Sequence, residues 1–107
     1  MSTAQILPRN QFGLTERDMT TLHNILRRYP DVQQVCIFGS RAKGTFKHGS
    51  DIDLAVMNPD VSDVTIRRIK TNCEDSSLPY MVDILPFATL TDNAVKDHLM
   101  RVGVLFL

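Results

Sequence analysis

The chain has 107 residues, enough for one small domain with a single modest core. Its 12 basic and 12 acidic side chains cancel, so the global charge that would hold a membrane surface or long nucleic acid is excluded. No apolar segment suits a signal peptide or membrane helix, and the two cysteines lack metal-ligand spacing, so a cytoplasmic location is expected.

The first elements are predicted from the spacing of apolar residues and from the residues that begin or end helices and strands. Residues 1–14 show little periodicity and are expected to form a loosely held N-terminal arm. Thr15 is a good N-cap for a helix over residues 16–29, where apolar residues recur at helical spacing before Pro30. A first strand is predicted over residues 35–38, where a short apolar run ends at a Gly-Ser pair.

The rest of the chain continues the alternation of strands and helices. Three further elements are predicted: a strand at 51–57, a helix at 61–75 and a strand at 80–85. Thr91 or Asp92 can cap a last helix. The order predicts an α/β or α+β fold, a small mixed β-sheet flanked by helices, in one domain over residues 1–107. The apolar tail at 102–107 either packs on this core or contributes to an interface, with self-association as one use.

Two aspartates interrupt the second predicted strand, within the stretch "FGSRAKGTFKHGSDIDLAV". Because residues two apart in a strand point to the same face, Asp51 and Asp53 aim their carboxylates the same way. Burying two like charges unpaired is unfavourable, so a cation is expected between them. Mg²⁺ prefers oxygen ligands and commonly takes one or two carboxylates together with substrate phosphates. The pattern therefore indicates a magnesium–phosphate site.

Two further segments complete this hypothesis. Asp83 interrupts the third apolar run, so three carboxylates converge if the second and third strands are neighbours, as in a two-metal phosphoryl-transfer site. Gly39 lets the backbone approach a ligand, Ser40 offers a hydroxyl, and backbone N–H groups after them would point at an anion. Arg41 is a further candidate for a phosphate contact. Each piece is common alone, but the combination is specific.

These residues resemble the nucleotidyltransferases of the DNA polymerase beta superfamily, whose signature is Gly-Ser, a spacer, Asp-x-Asp and a later third carboxylate. "GSRAKG" and "SDIDLAV" look especially like the minimal members of that group. The resemblance implies that Gly39 and Ser40 contact the triphosphate of ATP. It also implies that Asp51, Asp53 and Asp83 bind two Mg²⁺ ions and that Asp83 helps deprotonate the acceptor hydroxyl.

The resemblance also implies a partner. Larger members have a helical domain after the third carboxylate, whereas only one helix is predicted after Asp83. Minimal members are typically paired with a small helical protein encoded nearby, of the HEPN group or described as a substrate-binding subunit. The implied function is an antitoxin that transfers AMP from ATP to a tyrosine of the HEPN toxin.

Two alternatives remain open at this point. An antitoxin could act by binding alone, with a vestigial site, although the intact carboxylates at Asp51, Asp53 and Asp83 argue against decay. A catalytic subunit could instead modify a small acceptor, such as an aminoglycoside, with a helical partner supplying the pocket. The identity of the neighbouring protein would separate these hypotheses.

Overall fold

The computed structural model describes residues 8–107 and arranges them around one four-stranded sheet. Its strands are β1 (Val35–Phe38), β2 (Ile52–Val56), β3 (Val82–Pro86) and β4 (Val104–Leu105), in the spatial order β3-β2-β1-β4. β1 is antiparallel to both β2 and β4, whereas β2 and β3 are parallel. The mixed sheet expected from the sequence is confirmed.

In the described part of the chain, four helices and one 3₁₀ turn accompany the sheet: α1 (Glu16–Arg27), α2 (Gly39–Lys43), α3 (Asp63–Glu74), the turn Phe87–Thr89 and α4 (Asn93–Val102). A capping box starts α1, since the Thr15 hydroxyl accepts from the Asp18 N–H and the Asp18 carboxylate accepts from the Thr15 N–H. Asp92 is the residue that caps α4. Within residues 8–107, no helix is both long and apolar enough to cross a membrane.

The core lies where α1 and α3 pack against each other and against the sheet. β2 is the central strand, and Ile52, Leu54 and Val56 are fully buried along it. Ala55 is buried as well, so β2 is covered on both faces except where Asp53 interrupts it. This burial gives the site a rigid base, because close-packed cores deform little.

The expectation of a loosely held arm is wrong for residues 8–14, and residues 1–7 lie outside the described residues. Phe12 and Leu14 are buried in the core. The Asn10 side chain accepts hydrogen bonds from the backbone N–H groups of both residues, at 2.9 and 3.1 Å. Two apolar side chains and local backbone hydrogen bonds therefore fix this segment, which lacks any helical or strand periodicity.

The C-terminal tail packs on this chain's own core. β4 pairs with β1, and Phe106 is buried beside the rings of Phe12 and His23. Leu105 remains exposed. One of the two uses predicted for the tail is thus observed.

Both cysteines are free thiols. Cys36 is half-buried, and Cys73 is buried. Burial, followed by the charge of Glu74, raises the pKa of Cys73 to about 11. This thiol therefore stays protonated at neutral pH and behaves as a core side chain.

Candidate active site

The predicted site residues lie at one end of the sheet. β1 ends there, and β2 and β3 begin there, because β2 is antiparallel to β1 and parallel to β3. Asp53 consequently lies opposite Phe38 on one side and opposite Asp83 on the other. The topology thus brings the Gly-Ser pair and the carboxylates to the same edge.

Gly39 is packed directly against the Asp53 carboxylate. Its φ of +71° lies in the left-handed region, which disfavours any residue with a side chain. A Cβ at this position would lie 2.3 Å from Asp53 Oδ2, well inside van der Waals contact. Glycine is therefore needed for both conformation and space, and the turn after β1 touches the carboxylate of β2.

The pKa of Asp53 depends on its burial and on its two acidic neighbours. Burial is the main cause that raises the pKa of the Asp53 carboxyl, followed by the charges of Asp83 and then Asp51. Each of these effects disfavours the ionised form. The ionised form of Asp53 is therefore destabilised in the absence of a cation, which is the electrostatic condition that a metal ion relieves.

Asp51 and Asp83 differ from Asp53 in exposure. Asp51 precedes β2 and is exposed. Asp83 lies on the edge strand β3, with its side chain 60% exposed, and its carboxylate is 3.6 Å from the Lys70 ammonium on α3. Exposed ion pairs of this kind contribute at most about 1 kcal/mol, so the pair restrains Asp83 only weakly.

The three carboxylates do not form a closed ligand set. Across residues 8–107, no three His, Cys, Asp or Glu side chains are arranged closely enough to hold a metal ion as they stand. That Asp51, Asp53 and Asp83 share one metal site stays a prediction, and it requires their side chains to approach one another when a metal–nucleotide complex binds. Repulsion between like charges favours such separation when no cation is bound.

The donor chemistry nevertheless fits magnesium. Three carboxylates meet at one sheet end, and Asp53 is held where its negative charge is unfavourable. Mg²⁺ is usually bound by one or two carboxylates plus substrate phosphates and waters, so a complete protein cage is not needed. Asp53 and Asp51 on one segment and Asp83 on the next are the residues that would hold it.

The short helix α2 begins at Gly39 and contains Ser40 in its first turn. Its N-cap residue, Phe38, provides no side-chain hydrogen bond to the N–H groups of that turn. Such groups attract anions because they carry the positive end of the helix dipole. The helix ends at Gly44, which adopts a left-handed conformation with φ of +78°.

Arg41 takes a position that the sequence does not suggest. The sequence singles it out as a phosphate contact, but the residue is only 2% exposed. Its guanidinium donates to the backbone carbonyl oxygens of Ser50 and Phe12. In this arrangement its hydrogen-bond donors face the protein. The neighbouring basic residue Lys43 is exposed.

Two residues near the site were not predicted from the sequence. Lys70, which pairs with Asp83, lies among helical residues whose pattern indicated only a core-facing helix. Tyr80, which stacks on Arg41 at 4.4 Å, appeared to be an ordinary strand residue. Neither contact leaves a local signal, because each depends on how separate elements pack.

Comparisons with known proteins agree with this geometry. The family model "Polymerase beta, Nucleotidyltransferase" matches residues 20–107. A relative from Haemophilus influenzae, named "Probable protein adenylyltransferase MntA", is 33% identical over 84 residues, which cover 78% of this chain and 74% of that protein.

Solved structures share the fold at lower identity. A chain of a toxin–antitoxin complex with AMP-PNP has a TM-score of 0.69 and 22% identity, covering 84% of this chain and 73% of that one. A chain from the complex of tri-AMPylated Shewanella oneidensis HEPN toxin with MNT antitoxin has a TM-score of 0.62 and 19% identity, covering 83% and 68%. With the family match over most of its length, the chain belongs to the polymerase beta nucleotidyltransferase family.

Proposed function

We propose that this protein transfers AMP from ATP to a hydroxyl of a helical HEPN-type partner and thereby acts as an antitoxin. The observation that carries the proposal is the contact of Gly39 with the Asp53 carboxylate, beside the first turn of α2. This contact supports the proposal, because it brings the first turn of α2 beside a carboxylate, so that one metal-bound triphosphate could contact both. The MntA relative and the HEPN–MNT complexes supply the acceptor class by analogy.

The reaction requires one bond to form and one to break. The acceptor hydroxyl oxygen bonds to the α-phosphorus of ATP, the bond from that phosphorus to the bridging oxygen breaks, and pyrophosphate leaves. When bound, Mg²⁺ would neutralise the developing phosphate charge. The protein's own contribution is to position the reactants, which is a large part of the catalysis of phosphoryl transfer.

Individual residues have distinct proposed roles. Ser40 and the N–H groups of the first turn of α2 bind the β- and γ-phosphates. Asp51 and Asp53 hold the metal–nucleotide complex against the rigid β2. Asp83, the exposed carboxylate on the edge strand, accepts the proton of the acceptor hydroxyl at a side-chain oxygen. The acceptor is therefore expected to approach from the β3 side.

The proposal also includes a substrate, a cofactor and a cellular location. ATP is the proposed substrate, since an AMP-PNP complex exists among the structural neighbours. Mg²⁺ is the proposed cofactor, since carboxylates together with substrate phosphates are its usual ligands. The cytoplasm is the proposed location, because two free thiols are typical of a reducing compartment.

The test is co-expression with the neighbouring helical protein, followed by intact-mass measurement. A mass increase of the partner by one or more AMP units supports the proposal, and it should be lost in Asp83→Ala. Asp97→Ala is the matched control, because Asp97 is also an exposed carboxylate in an ion pair, with Arg101 at 3.2 Å. Neutralisation of the partner without any mass change would instead favour antitoxin action by binding alone.

A further inference from the structure

Arg41 is the most deeply buried charged side chain near the candidate site. Its Nε and Nη2 atoms donate to the Ser50 carbonyl oxygen at 3.0 and 2.8 Å, and Nη1 donates to the Phe12 carbonyl oxygen at 2.7 Å. Both acceptors are backbone oxygens, and no carboxylate within residues 8–107 forms an ion pair with it. Burial of a charge is unfavourable unless other groups compensate for the lost water. For Arg41 this compensation comes from backbone carbonyl oxygens.

Two aromatic rings complete the surroundings of the guanidinium. Its central carbon lies 4.4 Å from the centroid of Tyr80 and 5.3 Å from that of Phe46. The Tyr80 hydroxyl accepts a hydrogen bond from Arg9 at 3.0 Å, and the same Arg9 nitrogen donates to the Gly13 carbonyl oxygen. Stacking of a guanidinium on aromatic faces is favourable when both are shielded from water.

The partners of Arg41 belong to the segments that lead into the carboxylate-bearing strands. Ser50 immediately precedes Asp51. Tyr80 precedes Met81, whose carbonyl oxygen accepts from the Ile52 N–H at 2.9 Å, the bond that opens the pairing of β2 with β3. Arg41 itself follows Ser40 in α2. The Arg41 side chain thus links α2 to the segments that precede β2 and β3.

We propose that Arg41 is a positioning residue, which fixes the backbone before Asp51 so that the carboxylates meet the metal–nucleotide complex in register. This inference rests on the proposed function and assigns Arg41 no contact with phosphate. An arginine is required because its planar fork binds one carbonyl twice and another once, whereas a lysine ammonium is a single point on a flexible stem.

The requirement for an arginine makes Arg41→Lys the decisive variant. A phosphate contact needs mainly the positive charge, so lysine would preserve most of the affinity for ATP. A positioning role needs the fork, so lysine should behave much like alanine. Lys43→Ala is the matched control, a loss of positive charge in the same short helix at an exposed position.

The first measurement needs neither metal nor nucleotide. Amide hydrogen exchange of Ile52 reports whether the start of β2 is held on Met81, and exchange of Ile69, buried in α3, reports global opening. In Arg41→Lys, exchange at Ile52 should rise at least about tenfold more than at Ile69, because bonds to a charged donor are lost. Equal changes at both amides would mean a merely structural role and overturn the proposal.

The second measurement is steady-state AMP transfer in the complex with the helical partner. A positioning role predicts a large fall in kcat, of about tenfold or more, with KM for ATP nearly unchanged in Arg41→Lys. If Arg41→Ala raises the KM for ATP and Arg41→Lys restores the wild-type KM, Arg41 contacts phosphate and the proposal is overturned. If wild type transfers no AMP, the proposed function fails, whereas the exchange result still decides whether Arg41 fixes this backbone.

A second variant covers the case in which Arg41→Lys does not fold. Tyr80→Leu removes the ring under the guanidinium but keeps the arginine and its carbonyl acceptors. A smaller selective rise in Ile52 exchange is expected, because only the stacking is lost. An Ile52 amide as protected as in wild type would contradict the proposed role of this cluster.

Discussion

β2 and β3 carry aspartates at equivalent register positions in very different surroundings. Asp53 lies on the central strand, half-buried against Gly39. Its partner Asp83 lies on the edge strand, largely exposed, and forms an ion pair with the Lys70 ammonium. The difference shows that a carboxylate's place in the sheet decides whether it is fixed or able to turn. In the proposed metal site, Asp53 on β2 would be a preset ligand and Asp83 on β3 would be an adjustable one.

The largest expected effect comes from removing either carboxylate. A metal ion contributes several kcal/mol to such a transition state, so Asp53→Asn and Asp83→Asn should each lower AMP transfer about a thousandfold or more. Their stabilities should differ. Asp53→Asn should raise the free energy of unfolding at pH 7, because a destabilised charge is removed, whereas Asp83→Asn should change it by less than about 1 kcal/mol.

Urea unfolding and intact-mass transfer assays measure the two quantities. Loss of folding in Asp53→Asn would show that Asp53 is a structural residue and would remove the contrast between the strands. An active Asp83→Asn would show that the edge carboxylate takes no part in the reaction.

The contact between Gly39 and Asp53 is tested by two glycine variants. Gly39→Ala introduces a Cβ 2.3 Å from Asp53 Oδ2, while Gly44→Ala has a similar φ and nothing within 4 Å. Both should lose about 1–2 kcal/mol of unfolding free energy from backbone strain alone. Only Gly39→Ala should lose more and abolish transfer, because it displaces Asp53. Equal losses in both variants would mean that the close approach is unimportant.

The raised pKa of Asp53 predicts a pH dependence of stability. A carboxyl whose folded-state pKa lies above its model value of 3.8 binds protons more tightly when folded. The ionised Asp53 carboxylate lowers the free energy of unfolding. This effect is fully present above the folded-state pKa and declines as the pH falls through that pKa towards 3.8. Wild type should therefore gain stability relative to Asp53→Asn over this acidic range.

Unfolding curves of the two proteins across that range provide the measurement, and Asp83→Asn extends it. Because the Asp83 charge contributes to the shift, the pH-dependent difference should become smaller in the Asp83→Asn background. A parallel pH dependence in wild type and Asp53→Asn would rule out the electrostatic account.

The sequence predicts β1, β2 and β3 well because each follows a local apolar pattern. β1 coincides with its prediction, and the other predicted elements are displaced by at most two residues at an end. The end of α1 differs because the N–H groups of Arg28 and Tyr29 bond to carbonyls three residues back, at 3.2 Å. Such tightening of a last turn is not encoded by apolar periodicity.

Long-range contacts account for what the sequence could not predict. The position of Arg41 depends on two backbone carbonyls and a ring that are distant in sequence. The short strand β4 depends on an open edge of β1. From the sequence alone, Arg41 was therefore predicted to contact phosphate. The role of residues 102–107, in the core or in an interface, stayed open.

The smallest expected effect concerns Lys70, which restrains the adjustable carboxylate. Lys70→Met should change the free energy of unfolding by less than about 1 kcal/mol, as should Arg101→Met, which breaks the exposed pair with Asp97. Only Lys70→Met should lower the Mg²⁺ concentration that half-saturates nucleotide binding, by up to about fivefold, since a competing cation leaves Asp83. Titration calorimetry with AMP-PNP at several Mg²⁺ concentrations measures this shift. A higher Mg²⁺ requirement in Lys70→Met would mean that Lys70 orients Asp83 for the metal, and Asp83 would then be as preset as Asp53.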